Sequence, residues 1–428
     1  MTLALVLAGA ALVLSGGTVI DGYGNAPIPD GIVVIEGDRI LAVGGAGQVA
    51  IPDGAEIVST EGMTVLPGLW DMQVDLMRLG HGDARRWIET YGPLAERVVM
   101  PIAARQLLAA GVTSARDVAA PLDAATRVRG RVRENFIDGP SLYVSGPALR
   151  KLAPAGTGEW QWEVAGVPDI RAKVQRLANA GVDYLLLADL ELWTAEELEA
   201  VVSEARLRGL PVHAFAEKPA DVVRGAAAQL DGFIGTIPGA GPYPAEMMQA
   251  ITGRLTQAGA RPLSWTPAIS APLNLEALKR NDEPLDDPRS VALLPELVAA
   301  DIRGSLAGLG AAAPEPGAAP ELCEKLRQLE EAKVLLLLGS GAGEPGHLHT
   351  RATWQEIDFW VRDCGLPAVR AIRAATHDAA TAVGAGHVSG AISPGKIADV
   401  IAVRGDVLRN PALLQSVDIV VKGGRRVR

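Results

Sequence analysis

The stretch VLPGLWDMQVDL, residues 65–76, is where this chain changes texture. Before it come strand-and-turn segments: GGTVIDG (16–22), DGIVVIEGDRILAVG (30–44) and AEIVSTEGMTVLPG (55–68). Their β-branched runs are bounded by Gly and Asp turns, the pattern of short antiparallel strands. The same texture returns at the far end in ISPGKIADVIAVRGD (392–406) and VDIVVKGGRRVR (417–428). The two chain ends therefore read as one composite small β-domain, residues 1–66 and 387–428, flanking a larger domain at 67–386.

From residue 68 onward the pattern is a short apolar strand followed by a helical stretch. Strands are expected at 68–74, 112–117, 141–145, 184–188, 211–216, 232–236, 261–267 and 334–339. Helices are expected at 101–110, 170–180, 195–208, 220–229 and 245–258. Eight strands alternating with helices over about 300 residues predict an α/β fold, a (β/α)8 TIM-like barrel. The Pro/Ala/Gly-rich stretch 309–320 reads as a surface linker in an insertion after the seventh strand.

Composition agrees with a well-buried globular chain. Its 428 residues include 48% hydrophobic ones, with a mean hydropathy of +0.19. At roughly 150 residues per domain, that length predicts two or three units. A net charge of −10 and a pI near 5.2 argue against nucleic acid or an anionic membrane as partner. Residues 3–14, LALVLAGAALVL, form an apolar run too short to span a bilayer and preceded by no Lys or Arg. It reads as a first strand in preference to a signal remnant ending near Ala10, which makes the cytoplasm the expected compartment and export the alternative. Cys323 and Cys364 are too few for a disulfide framework or a Cys-based zinc site, and neither shows signs of activation. Six histidines, His81, His213, His347, His349, His377 and His387, bound any metalloenzyme reading.

Eight short motifs, in order along nearly the whole chain, resemble the amidohydrolase superfamily in its imidazolonepropionase- and prolidase-like branch. They are GGTVIDG, GDRILAVG (37–44), VLPGLWD (65–71), GVTSARD (111–117), VSGP (144–147), GLPV (209–212), AIRAATHDAATAVG (371–384) and GAISPGKIADVIAV (390–403). The resemblance implies a hydrolase of carbon–nitrogen bonds other than ordinary peptide bonds, dipeptide amides included. It also implies one or two divalent metals such as zinc, held at the C-terminal ends of the barrel strands. A bound water acidified by the metal would attack the carbonyl.

The family's ligand positions fall here on other residues. The His-x-His pair of the first strand maps to Gln73 and Asp75. The carboxylated Lys of the fourth maps to Leu186, the histidines of the fifth and sixth to Phe215 and Gly235, and the Asp after the eighth to Gly341. Of these only Asp75 binds a metal well, so no metal or other cofactor is expected. Apolar or absent side chains suit a former metal site, because an unpaired charge there would cost several kcal/mol.

Candidate replacements come from the strand ends. Period-two alternation puts His213 on the face of Phe215, one layer deeper. A general acid/base set of His213 with Asp75 and Glu217 is the catalytic expectation. Gln73, His347, His349 and Arg351 are the expected substrate contacts, the last three in GAGEPGHLHTR (341–351). Each has a blander reading: His213 as a core histidine, and His347 and His349 as members of a surface loop. Arg116 with Asp117 reads as a structural ion pair, and Asp71 as a structural tie. His81 reads as a loop tip, His377 and His387 as solvent-facing, and Trp160 and Trp162 as packing. The expected function is a metal-independent or inactive family member that binds a small molecule. An active hydrolase with a displaced metal site and a non-catalytic scaffold or regulatory subunit are the alternatives. The resemblance makes a homo-oligomer reasonable.

Overall fold

The structure, a computed structural model, describes residues 11–428 apart from 155, 258, 260, 280–286, 290, 292, 307–308 and 310–318. Most of the expected linker 309–320 lies outside the described residues. So do residues 1–10; the first described strand, Leu12–Val19, begins inside the apolar run.

Two compact units are present. The first draws on the described part of Met1–Trp70, on Ala109–Thr113 and on Leu366–Arg428. Its sheet joins both chain ends: Val400–Arg404 runs antiparallel to Met63–Pro67, with Ala402 opposite Val65, and Met63–Pro67 lies parallel to Leu12–Val19. Val33, Ile35, Val65, Val400, Ala402 and Val421 fill its core. Residues 366–386 fall in this unit rather than with the barrel. The backbone N–H of Trp70 donates to Ala375 O, and Tyr23 meets the His377 ring edge-on at 4.8 Å.

The second unit, Asp71–Leu108 and Ser114–Gly365, contains the alternating strands and helices. The eight barrel strands are Leu69–Val74, Val112–Asp117, Ser141–Val144, Leu185–Leu187, Val212–Phe215, Gly232–Ile234, Ser264–Thr266 and Leu335–Leu336. They pair in chain order in two parallel sheets, and backbone hydrogen bonds cross both gaps between those sheets. Asp183 N donates to Val144 O on one side; Met72 N donates to Leu338 O and Gly341 N to Gln73 O on the other. The mixed α/β fold is thus the barrel-type one expected, with a separate β-unit. Helices such as Gly166–Asn179, Ala195–Leu207 and Pro219–Ala227 follow the strands. Thr194 and Glu197 form a capping box that satisfies first-turn amides of the second of these. An addition not expected from sequence is a pair of short parallel strands, Ala148–Arg150 and Gln161–Glu163, between the third and fourth barrel strands. Among the described residues no helix is long and apolar enough to cross a membrane.

Cys323 and Cys364 are bonded to each other, with their Cα atoms 4.8 Å apart. The pair joins the helix Ala319–Glu331 to the turn after the helix Ala352–Arg362. The cysteines are too few for a framework but sufficient for one staple, and their 41-residue separation conceals it in the sequence.

Candidate functional site at the barrel mouth

In this fold type the side chains at the C-terminal strand ends converge on one mouth. Here the fourth and fifth strands deliver Leu186 and Phe215 into a single apolar cluster with Val118, Ala119, Ala148, Tyr184 and Ile234, and Trp160 packs against it. Trp160 Nε1 is buried there without a hydrogen-bond partner, as is Gln73 Oε1 at the end of the first strand. Just after the sixth strand, Gly235 adopts φ +94°, and beyond its chain neighbours no heavy atom lies within 4 Å of where a Cβ would stand. After the eighth, Gly341 adopts φ +72°, and a Cβ there would lie 3.3 Å from that of Ala271. Among the described residues no group of three or more His, Cys, Asp or Glu side chains is placed to hold a metal ion.

Asp75 is already engaged. Its Oδ2 accepts from Arg78 Nε at 2.6 Å and its Oδ1 from Met77 N at 3.0 Å, while Arg78 Nη2 also reaches Glu344 Oε1 at 2.5 Å. Burial pushes the Asp75 carboxyl up and Arg78 opposes that. Asp71 lies fully buried. Its carboxylate accepts from Gln73 N (3.1 Å), Ser340 N (2.9 Å), Ser340 Oγ (2.5 Å) and Thr353 Oγ1 (2.7 Å). It therefore ties the first strand to the eighth-strand loop and the helix behind it.

The expected Arg116–Asp117 ion pair is not formed. Adjacent strand residues point to opposite faces, so the two side chains part. The buried Arg116 guanidinium donates from Nε to Met72 O (2.8 Å), from Nη1 to His213 Nδ1 (3.2 Å) and from Nη2 to Thr266 Oγ1 (2.9 Å). Its Cζ stands 5.3 Å from the Tyr184 ring centroid. Asp117 accepts from Leu76 N, and burial raises it well above the usual carboxylate range. His213 is thus a buried partner of Arg116. Burial first, and the guanidinium second, push its imidazole well below the usual pKa.

No hydrogen bond or ion pair joins His213, Asp75 and Glu217 to one another. Glu217 is exposed on the loop after the fifth strand; desolvation and the nearby Asp189 raise its carboxyl. Asp189 is itself gripped by Arg150 through two bonds of 2.8 and 2.5 Å. Arg351 is half-buried at the start of the helix Ala352–Arg362.

His347 and His349 do not form a surface loop: both are fully buried. The loop folds back through Gly343 N to His347 O (2.8 Å) and Gly346 N to Gly80 O (2.8 Å). His347 Nε2 stands 3.5 Å from Ser270 Oγ, and His349 Nε2 stands 3.2 Å from Asp75 O. Burial lowers the His347 pKa to about 4 and that of His349 to about 3. With folded values below the unfolded value of about 6.5, both rings contribute stability that is full above pH 6.5 and lost as pH falls through 4 and 3. Ring resonances of both residues should therefore stay flat in an NMR titration from about pH 8 to 5. Titration of either buried ring near pH 6.5 would contradict this placement.

His81 is no loop tip: it is fully buried, with Nδ1 2.9 Å from Asp83 O and Nε2 3.6 Å from Asp301. His377 is half-buried against Tyr23 rather than solvent-facing, whereas His387 is exposed. Trp162 packs under Arg176, its ring centroid 4.6 Å from the guanidinium carbon. Ser270 and Glu356 went unnoticed in the sequence. A Ser opening a helix reads as a cap, and a Glu inside a helix reads as solvated.

The sequence model of the Amidohydrolase family matches residues 319–427. No curated protein matches the chain in sequence. Among solved structures, a Xaa-Pro dipeptidase with bound methionine in the active site is similar at 22% identity and a TM-score of 0.77, over 98% of this chain and 100% of that one. Phenylurea hydrolase B is similar at 20% identity and a TM-score of 0.74, over 98% and 97%. The A. niger ochratoxinase is similar at 19% identity and a TM-score of 0.72, over 98% and 96%. This chain is thus an amidohydrolase-fold protein that carries the family's own sequence pattern over residues 319–427.

Proposed function

We propose that this protein has lost the family's metal site and binds a small, largely apolar molecule at the barrel mouth, as a metal-independent or inactive member of the amidohydrolase fold. One observation carries the reading: Leu186, Phe215 and Trp160 share an apolar cluster at the place where the family's Lys and His ligands would converge. The rest of the donor set fits a metal no better. Gly235 and Gly341 bring no side chain, Gln73 brings a neutral amide, and Asp75 is held by Arg78. Divalent zinc needs three or four nitrogen, sulfur or anionic oxygen donors around one point. The unpartnered Gln73 Oε1 and Trp160 Nε1 supply one acceptor and one donor for a neutral polar group, such as an amide, on an otherwise apolar ligand. That the dipeptidase relative holds methionine in its active site supports the mouth as the place of binding.

Two measurements test this. Protein purified without chelator should contain far less than one zinc, iron or manganese per chain by elemental analysis; a near-stoichiometric content would overturn the reading and favour the displaced metal site. In a thermal-shift screen, neutral acyl-amino acids and cyclic amides should raise the melting temperature, since a ligand at 100 times its Kd stabilises by about 2.7 kcal/mol. No shift across that set would favour a scaffold role. The Cys323–Cys364 bridge supports export over the cytoplasm, because disulfides are rare where thiols are kept reduced.

A further inference from the structure

We propose that Ser270 is the nucleophile of a metal-independent acyl transfer and that His347 is its general base. This rests on the metal-free reading of the same mouth. The seventh barrel strand, Ser264–Thr266, leads through a three-residue turn to Ser270, the first residue of the helix Ser270–Lys279. Within that turn Ala268 takes φ +50°, a left-handed conformation that is strained for a non-glycine residue and clusters at functional sites. The loop after the eighth strand brings His347 Nε2 to 3.5 Å from Ser270 Oγ, the loose nucleophile–base spacing of a site without substrate.

The surroundings hold both groups in place. The buried Glu356 carboxylate accepts from Ile269 N at 3.0 Å and Ser270 N at 2.7 Å, and is itself fixed by Trp360 Nε1 at 2.7 Å. It holds the serine through both its backbone N–H and its side chain. His347 has no exposed surface, whereas Ser270 keeps 6%. Hydrogen bonding to the backbone of Ser340 and Gly341 favours the protonated His347 ring, but burial outweighs it and keeps the imidazole neutral, the form that accepts the serine proton. The pair also stands at the corner of the mouth where the family places its catalytic Asp: the missing Cβ of Gly341 would touch Ala271, the residue after Ser270.

In the reaction, Ser270 Oγ bonds to the acyl carbon of an amide or ester while its proton passes to His347 Nε2. The carbon–nitrogen or carbon–oxygen bond then breaks, and His347 returns the proton to the leaving group. Water next attacks the acyl-serine, giving its proton to His347. The ester bond to Oγ breaks, Oγ takes that proton back, and the acid leaves. The substrate class is a neutral amide or ester with an apolar acyl part, matched to the Leu186–Phe215–Trp160 cluster.

The test uses the full chain, assayed for metal and treated with a fluorophosphonate probe, with the adduct mapped by peptide mass spectrometry. One adduct per chain on Ser270 is expected. It should be lost in Ser270→Ala and form about 100-fold or more slowly in His347→Gln. Circular dichroism checks that both variants fold, and the map on unmutated protein needs neither of them. No adduct, an adduct on another residue, or a rate unchanged in His347→Gln overturns the proposal. Metal-free protein that fails to label defeats this inference alone, whereas a stoichiometric metal defeats the reading on which it rests.

Discussion

Asp71→Ala is expected to lower the unfolding free energy by about 3–5 kcal/mol, the size of removing one side of a buried charged network. Asp71 has no exposed surface, and two backbone amides and two hydroxyls donate to it. Taking the carboxylate away leaves Gln73 N, Ser340 N, Ser340 Oγ and Thr353 Oγ1 without their acceptor, and each buried orphan costs about 1–3 kcal/mol. Water entering the small space left would recover part of that, so the sum is not reached. Burial pushes the Asp71 carboxyl up while all four bonds pull it down. Asp71→Asn should therefore fall between, at about 1–3 kcal/mol, because its amide keeps one acceptor oxygen but turns an N–H toward donors. Urea unfolding at constant m-value measures both. A loss below about 1 kcal/mol for Asp71→Ala would mean that backbone hydrogen bonds such as Gly341 N to Gln73 O, together with packing, hold the first strand to the eighth-strand loop without the carboxylate.

The barrel was legible because its signals are local. Each expected strand overlaps an observed one: 112–117 agrees with Val112–Asp117, while 261–267 shortens to Ser264–Thr266. The shortening has a plain cause, since a central strand ends where its neighbours stop pairing with it, and residue texture does not record that. Helix 195–208 was equally readable from the apolar spacing behind Thr194. What stayed hidden depends on contacts far apart in sequence. Gly and Pro around His347 and His349 look like a surface loop, yet Gly346 N bonds Gly80 O across more than 260 residues and buries both rings. Arg116 is the opposite case. Strand alternation by itself separates adjacent side chains, so the signal against an Arg116–Asp117 pair was present in the sequence. Its actual partners, His213 and Thr266, come from the fifth and seventh strands.

Loss of the Cys323–Cys364 bridge is the other large expected effect. The two cysteines are 41 residues apart. Closing a loop of that size in the unfolded chain corresponds to about 4 kcal/mol in the chain-entropy account, and measured values more often fall at 2–4. Both cysteines are buried, and the paired Cys323→Ala/Cys364→Ala variant leaves small apolar side chains in their place, so most of the loss should come from the missing cross-link. The helix Ala319–Glu331 keeps other anchors: Lys325 Nζ bonds Ile237 O at 2.9 Å and Gly239 O at 2.7 Å, and Leu322, Leu326 and Leu329 are buried. The variant should therefore fold, with a lower denaturant midpoint. The same bond bears on compartment. Reading the apolar run at 3–14 as a first strand makes the cytoplasm the expected compartment, where this pair would be held as two thiols. Rapid alkylation during isolation from the native cell should find no free thiol and match the stability of the oxidised protein. Two alkylated cysteines, with the midpoint of the double variant, would instead mean that the pair is held reduced in the native cell, as expected for the cytoplasm.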